Sequence, residues 1–310
     1  MVDLAMTDRQ SSAPPSSRLP DFLVVGAQKS ATTSLHHYLT LHPEIFLPQI
    51  KETKFFVDEQ RYAQGIGHYL DHFTGVGDQQ RLGEIDPDYM YFSEAVSRIR
   101  HHFADAPPKI VFLLRDPVKR AFSHYLMTYR RGFEPLSFEQ AIEAESARLQ
   151  RGGFFERMHY SYLDRGFYAR QIDCYLDAFG PEQIQVLFTE NLNRSPRETL
   201  AELCRFIGVS EQIELPNSGE KFHEAQIPRN LWLLRRIKQA DTLEKRLLRK
   251  LIPVEGLRHR WRAALLAANE KPNDDEIRLS AQTERWLRDH YRDANQTLET
   301  LLGKPTGWPA

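Results

Sequence analysis

The chain has 310 residues, 41% of them hydrophobic and 27% charged, and its 41 basic side chains face 42 acidic ones for a formal net charge of −1. That length suits one large or two small globular domains, and the balanced charge excludes a global basic field for nucleic acid while leaving room for local basic pockets. Two cysteines, no apolar run near the ~20 residues of a membrane span and no signal-peptide core exclude a disulfide framework, a Cys-rich zinc site and a transmembrane segment, so a cytoplasmic setting is expected.

In chain order, residues 1 to 20, including "RQSSAPPSSRLP", are Ser- and Pro-rich and read as a flexible tail, with one folded domain over 21 to 310. "FLVVGAQKSATTSL" (22 to 35) reads as a buried strand, a tight turn carrying Lys29 and a hydroxyl-rich helix start. A strand ending at Gly26 and feeding a helix aims backbone N–H groups and a positive dipole end at one spot, where anions bind. Lys29 adds a point charge there, and Ser30, Thr32 and Thr33 add short donors. The same stretch would also serve as a Ser/Thr-capped helix with Lys29 solvated. The triphosphate spacing G-x-x-x-x-G-K-[ST] is absent.

"EIFLPQIKETKFF" reads as a short extended segment and a loop, "RLGEIDPDYMYF" as a strand that ends at Pro87, and "SEAVSRIRHHF" as a helix. The acidic residues of "GEIDPDY" could form a carboxylate metal site, but two Asp around a proline are more often turn chemistry. "KIVFLL" (109 to 114) is continuously apolar, as in a strand covered on both faces. Arg115 follows at its C-terminal end, the edge where open α/β sheets bind ligands. A helix starts at Asp116–Pro117, and Ser123 lies two turns along it. Arg115 could instead pair with Asp116 or Glu84, and Ser123 could bond back into its helix.

Further helices are read over "SFEQAIEAESARL" and "RGFYARQIDCYLDAF", a strand over "QIQVLF", and a helix over "SPRETLAELCRFIG" with Ser195 as N-cap, Glu198 completing a capping box and Gly208 as the stop. Cys174 and Cys204 fall in two of these amphipathic patterns as buried thiols. Residues 220 to 275 are Arg-rich and mostly helical, and a last helix over about 281 to 302 carries Leu287, Tyr291, Ala294, Leu298 and Leu301 on one face. Strands alternating with helices make this an α/β chain, a parallel sheet with helices on both faces.

The pair "GAQKSATTSL" and "LLRDPVKRAFSHY", with "KETKFF" and "YRDANQTLETLLGKPTGW", resembles the sulfotransferases that use 3'-phosphoadenosine 5'-phosphosulfate (PAPS), most of all bacterial and glycan-type domains, over roughly residues 21 to 309. The resemblance implies a P-loop-like single domain in which Lys29, Ser30, Ala31, Thr32 and Thr33 hold the 5'-phosphosulfate, and Arg115 and Ser123 hold the 3'-phosphate. It implies that Tyr168 meets the adenine, although a helix-core role suits it equally. It also implies that Arg229 closes over the nucleotide, although a solvated arginine would look the same. Lys29 would stabilise the leaving oxygen, Glu52 of "KETKFF" would be the catalytic base with Phe55 and Phe56 packed behind it, and no metal would be required. Glu84, Asp86 or a histidine are other bases, and an ion pair of Glu52 with a neighbouring lysine is the plain alternative.

Two departures stand out. Many relatives carry Gly at Ala31, a mild change if φ is negative there, and some place Lys at Ile85, which argues against a glycan-polymer acceptor. The implied acceptor is a small-molecule, lipid or saccharide hydroxyl or amine, and the aromatic "GGFFERMHYSYL" could line its pocket. A kinase on a similar fold and a non-catalytic nucleotide-binding relative are the competing readings.

Overall fold

A computed structural model describes residues 18–77, 80–213, 227–228, 270–271 and 277–309. In chain order the elements are β1 (Phe22–Gly26), α1 (Thr32–Thr40), β2 (Ile45–Phe46), α2 (Glu59–Tyr62), α3 (Gly65–Leu70), β3 (Arg81–Ile85), α4 (Ser93–His102), β4 (Lys109–Leu114), α5 (Pro117–Arg130), α6 (Phe138–Gln150) and α7 (Phe154–His159). They continue with α8 (Tyr168–Phe179), β5 (Ile184–Phe188), α9 (Thr189–Arg194), α10 (Pro196–Ile207), β6 (Ile227–Pro228), β7 (Glu270–Lys271) and α11 (Ala281–Leu302). Five strands form one parallel sheet in the order β2-β3-β1-β4-β5, and β6 and β7 make a separate antiparallel pair.

Every residue of β1 is buried, as is all of β4 after Lys109, so both sheet faces are covered. On one face Phe22, Val24, Val111, Leu113 and Leu187 pack against Leu35 and Leu39 of α1 and Leu200 and Leu203 of α10. On the other, Phe112 meets the ring of Tyr175 at 5.3 Å, and the Tyr175 hydroxyl donates to the Tyr89 carbonyl at 2.9 Å. Close approach needs glycine at two points: a Cβ on Gly83 would overlap the Phe22 ring, and one on Gly26 would overlap Met90.

The chain divides into two compact units, residues 1–114 with 172–218 and residues 115–171 with 219–310. The first holds the sheet and the core just described. The second has its own core, in which Val118, Ala121 and Tyr125 of α5 pack with Phe138 and Ala141 of α6, Tyr162, and Leu287 and Tyr291 of α11.

Three sequence expectations change. Arg18, Leu19 and Pro20 belong to the folded part: Pro20 is buried and Arg18 pairs with Asp21 at 2.7 Å. Ser195 precedes α10 but its side chain caps nothing, because it also terminates α9 with φ −135° and ψ 69°, so the expected capping box with Glu198 is absent. Cys204 is buried as expected, but Cys174 lies on the exposed side of α8. Gly208 does end α10 in the left-handed conformation, at φ 77°. The Arg-rich stretch read over 220 to 275 lies outside the described residues apart from β6 and β7.

Candidate active site

The turn after β1 has unusual backbone. Lys29 and Ala31 both take left-handed backbone, at φ 72° and 61°, a geometry that turns successive N–H groups toward one concavity. The proviso of negative φ at Ala31 therefore fails, and the alanine bears strain that a glycine would not. Ala31 stands at the N-cap of α1, and no side chain caps that helix, so the expected alternative of a Ser/Thr cap is excluded. The first N–H groups of α1 are thus without a side-chain acceptor. Ser30 is fully buried and its hydroxyl has no hydrogen-bond partner among the described residues. Its carbonyl accepts from Thr189 at 3.0 Å, which pins the turn to the start of α9. Lys29 is half-buried, Thr32 is buried and Thr33 exposed.

Beside this turn lies a network of acids. The segment after β3 runs along the end of β1: the Asp86 N–H donates to Val24 and the Met90 N–H to Val25, at 3.0 and 2.8 Å. Glu52 accepts from Lys51 at 2.6 Å and from Lys54 at 2.8 Å. Burial alone would raise its carboxyl, but the two ammonium groups outweigh it and hold it below the usual carboxylate range. The Lys54 ammonium also bonds Asp86 at 2.8 Å and Asp88, and Gln28 of the turn after β1 donates to Asp88 at 3.1 Å. Phe55 and Phe56 are buried behind Glu52, as expected from the motif.

Glu84 sits deeper, fully buried, accepting from Thr53 at 2.6 Å, Tyr69 at 2.7 Å and Tyr89 at 2.9 Å. Burial, reinforced by Asp86, pushes its carboxyl up to about 7. Three protein hydroxyls thus hold the two Glu84 oxygens in place. Ile85, where some relatives carry lysine, is a core residue. Sequence reasoning missed Gln28 and the bridging role of Lys54. The available signal was the pair of acids two apart in "IDPDY" opposite the two lysines of "KETK".

In the second unit, Arg115 directly follows β4 and is half-buried. Its carbonyl accepts from the Tyr168 hydroxyl at 2.8 Å. Tyr168 is itself buried, with its ring 5.8 Å from that of Trp308. Asp116 caps α5 through the Val118 N–H at 2.9 Å and lies 3.7 Å from Arg288. Ser123 is half-buried on α5, and among the described residues its hydroxyl has no hydrogen bond back into the helix. The segment "GGFFERMHYSYL" divides: Phe154 and Phe155 are exposed on α7, while Tyr162 is buried with its hydroxyl on Glu134 at 2.8 Å. Arg229 lies outside the described residues.

The sulfotransferase domain model matches residues 19–228, more than half of the chain. The chain belongs to the sulfotransferase family. Human bifunctional heparan sulfate N-deacetylase/N-sulfotransferase 3 is 31% identical over 200 residues, which is 62% of this chain and 22% of that protein. The membrane-associated sulfotransferase kil1 of Dictyostelium discoideum is 36% identical over 137 residues, 41% of this chain and 28% of that protein. The chain thus spans between a fifth and a third of the curated relatives it matches. A crystal structure of a sulfotransferase from Alicyclobacillus acidocaldarius superposes with a TM-score of 0.66 at 25% identity, covering 93% of this chain and 97% of that one. The sulfotransferase domain therefore carries the P-loop-like parallel sheet expected from its motifs. None of its described helices is long and apolar enough to cross a membrane.

Proposed function

We propose that this domain moves the sulfuryl group of PAPS to a hydroxyl or amine acceptor by in-line transfer. The observation that carries the reading is the uncapped start of α1, with the buried, unpartnered Ser30 hydroxyl and Lys29 in one left-handed turn. Such a turn fits a single phosphate with an attached sulfuryl group, and its shortness relative to the triphosphate motif disfavours the kinase reading.

When bound, the donor supplies the sulfuryl group and a phosphate oxygen on which charge builds as the bond breaks. The N–H groups of residues 30 to 33, with the Ser30, Thr32 and Thr33 hydroxyls, hold the 5'-phosphate. The Lys29 ammonium neutralises the leaving oxygen, the electrostatic part of catalysis. Arg115 grips the 3'-phosphate with its planar fork, helped by the Ser123 hydroxyl. Tyr168, whose hydroxyl donates to the Arg115 carbonyl, meets the adenine in this reading. Arg229 closes over the nucleotide in the same reading. Glu52, kept ionised by its lysines, takes the acceptor proton. No metal takes part, since Lys29 and the helix N-terminus already face the leaving phosphate with positive charge.

Residue patterns leave the acceptor as a small-molecule, lipid or saccharide group. The heparan sulfate relatives support a saccharide, whereas the exposed Phe154 and Phe155 support an apolar acceptor. A cytoplasmic, bacterial-type enzyme is part of this reading, supported by the two free thiols and the likeness to the A. acidocaldarius sulfotransferase. Thermal melting tests the proposal. Adenosine 3',5'-bisphosphate at a hundredfold excess over its dissociation constant is expected to raise Tm by about 5–10 °C. ATP with magnesium should leave Tm unmoved, and EDTA should leave turnover of labelled PAPS intact. A shift with ATP–magnesium alone would restore the kinase reading.

A further inference from the structure

The carboxylates of Glu52, Asp86 and Asp88 each offer an oxygen within 4.8 Å of the other two, the spacing at which three oxygens enclose one cation. The Lys54 ammonium fills that space, 2.8 Å from Glu52, 2.8 Å from Asp86 and bonded to Asp88. An ammonium has three N–H donors and no more, so these three acceptors use all of them. The lysine backbone is bent to reach the position: φ is 57°, and its own N–H donates to the second Asp86 oxygen at 2.7 Å. Side-chain exposure is 0% for Asp86, 2% for Asp88 and 16% for Lys54, so the ammonium compensates two acids that water scarcely reaches.

We propose that Lys54 is a resident cation, standing where a carboxylate site would hold a divalent ion and fixing Glu52 relative to the phosphate turn. Its significance for the reaction rests on the reading of Glu52 as the base. The link to the phosphate turn is Gln28, which precedes Lys29 and donates to the same Asp88 that Lys54 grips. Lys54 is a positioning residue: with its donors spent on protein carboxylates, it has none to offer the sulfuryl group. Arginine cannot replace it, because a planar fork does not meet three acceptors disposed as a tripod.

The test compares wild type, Lys54→Ala, Lys54→Arg and Lys54→Ala/Asp86→Asn as full chains, titrated with MnCl₂. Free Mn²⁺ is read by electron paramagnetic resonance, stability by melting, and turnover with PAPS and an acceptor found by screening. Expected are a wild type indifferent to Mn²⁺ and a Lys54→Ala chain that melts lower. That variant should bind one Mn²⁺ with a dissociation constant of about 10⁻⁴–10⁻³ M and recover its Tm with it. Its kcat should fall roughly 10–100-fold at nearly unchanged KM for PAPS, as for loss of a group that orients a reacting side chain, and Mn²⁺ should restore part of it. Lys54→Arg and the double variant should show no Mn²⁺ rescue.

Mn²⁺ binding to wild type as tightly as to Lys54→Ala would overturn the proposal, and so would a Lys54→Ala chain that neither melts lower nor binds Mn²⁺. If Lys54→Ala does not fold, Lys54→Met/Asp86→Asn/Asp88→Asn carries the test. Removing charge on both sides should restore folding, and failure to do so would show that charge compensation is not what Lys54 provides. If Glu52→Gln keeps full turnover while Lys54→Ala binds Mn²⁺, the base assignment falls and the resident cation stands.

Discussion

Glu52 is held by two lysines, and this decides what it can do. A carboxyl kept below its usual range is ionised at neutral pH but is a weak base, so it suits an acceptor proton that leaves late in the transfer. Glu52→Gln keeps the shape and removes the basicity. Turnover should fall roughly 10²–10⁴-fold with PAPS affinity nearly unchanged; wild-type turnover with an acceptor of ordinary acidity would move the role to another residue. Glu84 behaves oppositely. Its carboxyl is raised to about 7, so the stability it confers is complete below the ordinary range near 4.5 and is lost as pH rises through about 7. Urea denaturation at pH 5 and pH 8 should show wild type losing stability over that interval and Glu84→Gln losing less; equal losses would mean that Glu84 is not protonated in the fold. Ala31 at φ 61° pays for its Cβ. Ala31→Gly should stabilise by about 0.5–1 kcal/mol after the extra freedom of glycine in the unfolded chain is subtracted, and a destabilised variant would mean that the turn is not left-handed in solution.

At the scale of elements, helix starts divide into those closed by a side chain and those left open. Ser137 forms a full capping box with Gln140 at the start of α6, and Asp116 caps α5. The starts of α1 and α10 have no side-chain cap. Among the described residues, the open start of α1 coincides with a left-handed turn, a lysine and a buried hydroxyl without a hydrogen-bond partner, and this is what singles it out as the candidate anion site. Ser137→Ala is expected to cost about 1 kcal/mol in chemical denaturation, whereas Ser195→Ala should cost only a few tenths. Equal losses would show that the Ser195 side chain is used after all.

For the whole molecule, the sharpest test of the nucleotide reading is ligand discrimination. Arg115→Ala should weaken adenosine 3',5'-bisphosphate by about 2–4 kcal/mol in calorimetry and AMP far less. Equal losses for the two ligands would remove the 3'-phosphate assignment from Arg115.

By itself the sequence determined the alternation of strands and helices. "FLVVG" and "KIVFLL" are apolar on both faces, as strands inside a parallel sheet are, while Pro117 and Gly208 mark helix ends through chain geometry alone. It also marked the turn after β1 and the "KETKFF" glutamate as candidates, because a motif lies within one local stretch. Tertiary structure decided what depends on distant partners. The burial of Tyr168 and its hydroxyl bond to the Arg115 carbonyl, 53 residues away in sequence, are visible only in the fold. The positive φ at Ala31 and the bond from Thr189, 159 residues beyond Ser30, that holds the turn are likewise features of the fold. Lys54 looked like one of two lysines flanking a glutamate. Only pairing of β3 beside β1 brings Asp86 and Asp88 to its ammonium, because charge compensation is a property of the fold and not of the neighbours in sequence.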